Sequence, residues 1–160
     1  MAQAVTLGTG EGKSYWLLTS LFTFKVTAAE TNGALAIAEL DADPALGPPP
    51  HIHRDADESF YILEGTFDFS LDGRPFSAGA GSFVQLPRGV VHTHSAGGGK
   101  PARALVIQSP AGVEKFIAEA GSVATDPSRR PAPPDPAALG RIVAIAAKHG
   151  IDVPTAPISS

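Results

Sequence analysis

Residues 48–65 read Pro48-Pro49-Pro50-His51-Ile52-His53-Arg54-Asp55-Ala56-Asp57-Glu58-Ser59-Phe60-Tyr61-Ile62-Leu63-Glu64-Gly65, and the rest of the chain is best understood outward from them. On a strand, His51 and His53 point to one face with backbones about 6.5 to 7 Å apart, so both imidazoles can converge on one ion. Glu58 follows five residues after His53, beyond a polar turn, and opens the next strand. Two imidazoles and a carboxylate without thiolates suit one divalent metal ion: Fe, Mn, Ni, Co or Zn.

Around this stretch the chain alternates short extended runs with turn signals from Tyr15 to Ser109, the pattern of an all-β sandwich or barrel. Tyr15–Thr27 is read as one β run, with Phe22, Phe24 and Val26 alternating against Thr23, Lys25 and Thr27. Asn32-Gly33 offers the positive-φ pair of a tight hairpin before Ala34–Leu40. Ser59–Leu63, Thr66–Leu71, Arg74–Ser77, Ser82–Leu86, Val91–Ser95 and Ala102–Ser109 continue the series, with Asp72-Gly73 as the most secure two-residue turn.

After Pro110 the pattern changes. Val113, Phe116, Ile117 and Ala120 stand at helical spacing over residues 113–120, with Gly121 placed as the C-cap. Asp126–Pro136 holds five of the fifteen prolines and reads as an extended connector reaching roughly 30 Å. A second amphipathic helix over about 137–149 ends at Gly150, which leaves His149 as a helix-end residue. Its apolar face has three candidate uses: packing on the barrel, a dimer contact, or a lid over the barrel mouth. The domain reading is a flexible segment over 1–14, a barrel over 15–110 and a C-terminal extension over 111–160.

The 160 residues amount to one domain, and the absence of cysteine excludes disulfide scaffolds, thiol nucleophiles and cysteine-held zinc. With 12 basic against 16 acidic residues, net charge −4, the chain lacks the positive field that nucleic acid requires. No apolar run reaches the ~20 residues of a membrane span, and the N-terminus lacks a signal-like pattern, so a cytoplasmic location is the expectation. Gly8–Ser14 imitates a phosphate-binding loop, but the position that must be glycine is Leu7.

A second motif supports the first. Gly81 begins a strand, Pro87-Arg88-Gly89 makes a tight turn, and His92 opens the next strand as a further candidate ligand. Together, His51-x-His53, four residues, Glu58, six residues, Gly65, and then Gly81, five residues, Pro87-x-Gly89, two residues, His92, resemble the two motifs of the cupin superfamily, in its single-domain form. The sequence departs from the family at Ala45, where a glycine is usual and Gly47 stands nearby, and at Ala96, where an asparagine is usual. Neither position ligates metal.

The resemblance covers Tyr15 to Ser109. It implies an antiparallel jelly-roll barrel with a C-terminal helical extension, and a metal inside held by His51, His53, Glu58 and His92. With Glu58 inward, Phe60 and Ile62 share its face while Ser59 and Tyr61 look away. A buried unpaired carboxylate costs several kcal/mol, which favours Glu58 as a ligand. His94 should face the same interior, as a hydrogen-bond donor behind the ligands, a pocket wall or a core residue. Gln85, Gln108 and Tyr61 are further polar candidates whose facing the sequence leaves open. Phe22, Phe24, Phe60, Phe67, Phe69 and Phe83 are assigned mainly to the core.

No inward basic cluster is visible, so the expected substrate is a small aromatic or apolar molecule. The resemblance to small quercetin (flavonol) dioxygenases implies a metal-dependent dioxygenase for phenolic, flavonol or enediol substrates, with Glu58 as ligand and catalytic base. The alternatives are an isomerase, cyclase or hydrolase on the same scaffold, or a non-catalytic ligand-binding module. A homodimer is implied by the resemblance alone.

Overall fold

A computed structural model describes residues 4–154; residues 1–3 of the expected flexible segment and 155–160 of the extension lie outside them. Antiparallel sheets dominate. In chain order the elements are β1 (Lys13–Leu17), β2 (Ser20–Val26), α1 (Ala28–Thr31), β3 (Ala36–Ala42), β4 (Ile52–His53), β5 (Asp57–Glu64), β6 (Thr66–Leu71), β7 (Arg74–Gly79), β8 (Phe83–Leu86), β9 (His92–Ala96), β10 (Ala102–Ser109), α2 (Val113–Ala120), β11 (Ser122–Val123), α3 (Pro136–Lys148) and β12 (Ile151–Asp152).

One sheet runs β11-β1-β2-β3-β10-β5-β8 and faces a second, β7-β6-β9. The short pair β12-β4 extends the second sheet, because His51 and His92 exchange reciprocal backbone hydrogen bonds of 2.9 Å. Alternation fills the space between the layers: Phe60 and Ile62 of β5, Phe67 and Phe69 of β6, Leu86 of β8 and Ala104 and Val106 of β10 form one buried cluster. Each large apolar side chain buried there contributes about 1.5–3 kcal/mol. A second cluster joins Phe24 and Ala38 of the barrel to Phe116 and Ile117 of α2, Ala146 of α3 and Ile151 of β12. Phe22 touches both clusters.

Several expected elements take a different form. The run Tyr15–Thr27 is a hairpin, with Leu18-Thr19 as a two-residue turn between paired Leu17 and Ser20. Leu18 has φ 56°, a left-handed conformation that costs a non-glycine residue about 1–3 kcal/mol. Asn32-Gly33 ends helix α1 instead of closing a hairpin. Thr27 and Glu30 form a reciprocal capping box at its start, and Asn32 terminates it in the left-handed region. Local side-chain capping outcompetes the hairpin there. Asp72-Gly73 is the expected turn, with φ of 49° and 75°.

Gly121 is the C-cap of α2, but its φ is −92°. A Cβ at this position would lie 2.5 Å from the Trp16 carbonyl oxygen, so close approach of α2 to β1 explains the glycine. The connector begins with a turn, since Asp126 accepts from the backbone and hydroxyl of Ser128. It is then pinned to the barrel by Arg130, which donates to the Thr19 carbonyl, pairs with Asp43 and lies 5.8 Å from the Trp16 ring. Phe83, expected in the core, is 61% exposed because it occupies the outward phase of edge strand β8.

Candidate metal centre

Four donors come from both sheets. His51 and His53 occupy the segment leading into and through β4, Glu58 is the second residue of β5, and His92 opens β9. Each is buried, and their ligand atoms lie within 4.8 Å of one another. The backbone pairing of His51 with His92 joins the two motifs directly, and the Gly89 amide donates to the His53 carbonyl at 2.8 Å. The Pro87-Arg88-Gly89 turn is fastened to β5 by Asp57, which accepts from the Arg88 amide and guanidinium at 2.9 to 3.2 Å. Those bonds hold the Asp57 carboxyl down to about 2.

The ring geometry exposes lone pairs to the centre. His51 Nδ1 lies 3.0 Å from the Pro49 carbonyl and His92 Nδ1 lies 3.0 Å from the Val90 carbonyl. Each Nδ1–H can donate there, which fixes the tautomer and leaves Nε2 for a ligand. Glu58 Oε1 is 3.7 Å from His53 Nε2, and Glu58 Oε2 is 3.4 Å from His92 Nε2. Glu58 Oε2 and His92 Nε2 are both buried without a hydrogen-bond partner. Buried polar atoms are normally satisfied, so two orphaned donors facing each other fit a cation between them.

Protonation agrees with this fit. Burial pushes His51 down to about 3 and also lowers His53, against the opposing pull of Glu58. Burial alone would raise Glu58, but the surrounding imidazoles, His53 first, outweigh it and hold the carboxyl below its ordinary value. Neutral imidazoles and an ionised carboxylate are the forms that bind a divalent cation.

Gln108 completes the inner surface. It stands opposite Glu58 in the β10–β5 register, is 2% exposed, and its amide nitrogen lies 3.4 Å from Glu58 Oε1 and 3.2 Å from His53 Nδ1. Gln85 and Tyr61 face outward. His94 is buried against Phe60 at 4.9 Å, outside the four-donor group, with Nδ1 unpaired. Burial lowers it to about 4.

His51, His53 and Glu58 open onto a cavity of about 100 Å³, lined mainly by apolar residues of the Leu17-Leu18 turn, Pro48-Pro49, α2, α3 and the chain after it. Helix α3 therefore lines the cavity and packs in one cluster with α2 and the barrel. Among the described residues no helix is long and apolar enough to cross a membrane.

A small antiparallel barrel with three histidines and a glutamate converging from two short motifs defines a class of metal-site jelly rolls. Residues 39–108 match the Cupin domain family, and the barrel has the antiparallel jelly-roll fold of cupins. Quercetin 2,3-dioxygenase of Bacillus subtilis (strain 168) is 26% identical over 88 residues, which are 55% of this chain and 26% of that relative's length. The chain thus spans about a quarter of the relative it matches. Among solved structures, polyketide cyclase RemF from Streptomyces resistomycificus superposes with a TM-score of 0.60 at 22% identity, covering 67% of this chain and 80% of that one. KdgF from Halomonas sp. gives a TM-score of 0.58 at 16% identity, covering 68% and 94%. At these identities the structural likeness is one of fold.

Proposed function

We propose that the protein is a metal-dependent dioxygenase for a small apolar substrate bearing a phenolic or enediol oxygen, with one divalent ion held by His51, His53, Glu58 and His92. The observation that carries this reading is the convergence of those four donors, three of which, His51, His53 and Glu58, line the floor of an apolar cavity walled by α2 and α3. The likeness to quercetin 2,3-dioxygenase supports the reaction type. A bound divalent ion would supply Lewis acidity toward a substrate oxygen.

The chain's own residues supply the rest. Neutral His51 and His53 present lone pairs without first losing protons. Glu58 serves as ligand through one oxygen and accepts the substrate hydroxyl proton on the other, as general base. Gln108 positions that carboxylate through its amide N–H. The apolar wall excludes bulk water, which strengthens each electrostatic contact at the floor. The barrel over 15–110 then provides the metal floor, and the extension over 111–160 provides the wall.

Oxygen uptake by protein loaded separately with Fe, Mn, Ni, Co and Zn, tested with flavonols, simple phenols and 1,3-diketones, checks the reaction. Uptake with at least one pair is expected. Substrate loss that proceeds equally under argon contradicts the dioxygenase reading and assigns the pocket to non-oxidative acid–base chemistry.

A further inference from the structure

Apart from Pro48 and Pro49, the apolar wall of the cavity comes from outside residues 39–108, where the family match lies: the Leu17-Leu18 turn and Phe22 before it, and α2, α3 and the chain after α3 beyond it. It therefore carries what is particular to this chain. Along α3 the wall is uneven. Ala146 near its C-terminal end is 3% exposed, whereas Leu139 and Val143 line the cavity and are also 37% and 36% exposed. Residues that face both cavity and solvent mark an opening. Leu18 lines the same cavity, in a turn held at φ 56° without a glycine. Strain of this kind persists only where the surrounding structure over-determines it, and it clusters at binding and active sites.

The inner end of α3 is held differently. Arg54, the residue after His53, donates to the Ala147 carbonyl and to Asp152, both at 2.8 Å, and its own amide donates to the Gly150 carbonyl at 2.8 Å. Ile151 pairs with His53 itself. The C-terminal end of α3 is thus tied to the ligand strand, while Leu139 and Val143 stand at the opening.

We infer that Leu18, Leu139 and Val143 are specificity-determining residues that form an apolar mouth admitting uncharged, apolar molecules to the site. The inference rests on the proposed substrate pocket and extends it to selection by charge. Among the described residues no lysine or arginine lines the cavity, and Glu58 is the one carboxylate there, on the floor. An anionic ligand would leave water for an apolar rim and meet no partner there. Because Leu139 and Val143 are partly exposed, charged substitutions at these positions leave the core and the Arg54 ties intact.

The test uses the full-length protein stripped of metal and N-phenyl-1-naphthylamine, an uncharged fluorophore that brightens in apolar surroundings, with metal content measured in parallel on unstripped samples. Wild-type protein should bind the dye. 1-Naphthol should displace it at concentrations where 1-naphthalenesulfonate does not. Val143→Glu and Leu139→Lys should weaken dye binding at least tenfold while metal content and thermal midpoint stay near wild type. Val143→Ala should retain binding. Undiminished affinity in Val143→Glu, equal losses in Val143→Glu and Val143→Ala, or equal displacement by the two naphthalenes overturns the inference. Dye uptake without any metal in the unstripped protein would sink the metal reading and leave the mouth standing; metal without dye uptake would do the reverse.

Discussion

Glu58 and Gln108 face each other across β5 and β10, and their contact shows what a residue-level reading can and cannot reach. Glu58 was legible because its spacing from His51 and His53 is fixed along one stretch of chain. Gln108 was not, because its facing depends on a strand register set 50 residues away. Replacing it tests the contact. Gln108→Leu removes the hydrogen bond to Glu58 Oε1 and should lower unfolding free energy by about 1–3 kcal/mol while the protein keeps its metal. Unchanged stability in denaturant titrations would contradict that role. Gly47 makes a second residue-scale case, since the family-like glycine was expected at position 45. A Cβ at Gly47 would collide with the His94 carbonyl oxygen, so Gly47→Ala should cost about 1–3 kcal/mol through forced displacement of β9. Ala45→Gly should leave the midpoint nearly unchanged.

At the scale of elements, strands with strict alternation and glycine-containing turns could be read directly: β6 and β10 lie where the pattern put them, as does the Asp72-Gly73 turn. The failures share a cause. Leu18-Thr19 carries no turn chemistry, and Asn32-Gly33 carries hairpin chemistry that a capping box redirects into a helix end. Strand pairing decided the first and local capping the second. The amphipathic face of α3 was visible, but its partner was not, because the cavity it covers forms only when both sheets are in place. Arg54→Ala checks how α3 is held. The Arg54–Asp152 pair is about half exposed, so its loss should cost under about 1 kcal/mol in global stability. Amide exchange across 142–148 should nevertheless accelerate, since Arg54 holds the last turn of α3 to the His53 strand. Unchanged protection there would show that burial of Ala146 and Ile142 alone secures the helix.

At the scale of the whole molecule, the buried cluster of imidazoles and a carboxylate links the stability of the metal-free barrel to pH. Burial keeps His51 neutral down to about 3 and His94 down to about 4, whereas both take up protons near 6.5 once unfolded. In that window the unfolded chain binds more protons, so stability falls as pH falls. Glu58 acts in the same direction below its ordinary carboxylate range, since its folded form is held ionised. The thermal midpoint of metal-free protein should therefore drop steadily between pH 7 and 4, and a flat profile would contradict the neutral imidazoles. Metal opposes this loss, because a ligand present at 1,000 times its Kd adds about 4 kcal/mol to the folded state. The central claim is that four particular side chains hold that ion, and elemental analysis of protein purified without chelator tests it most directly. About one divalent ion per chain is predicted for wild type, with near-complete loss and a lower midpoint in His51→Ala and His92→Ala. Metal-free wild-type protein, or His51→Ala with unchanged metal content, would contradict the account.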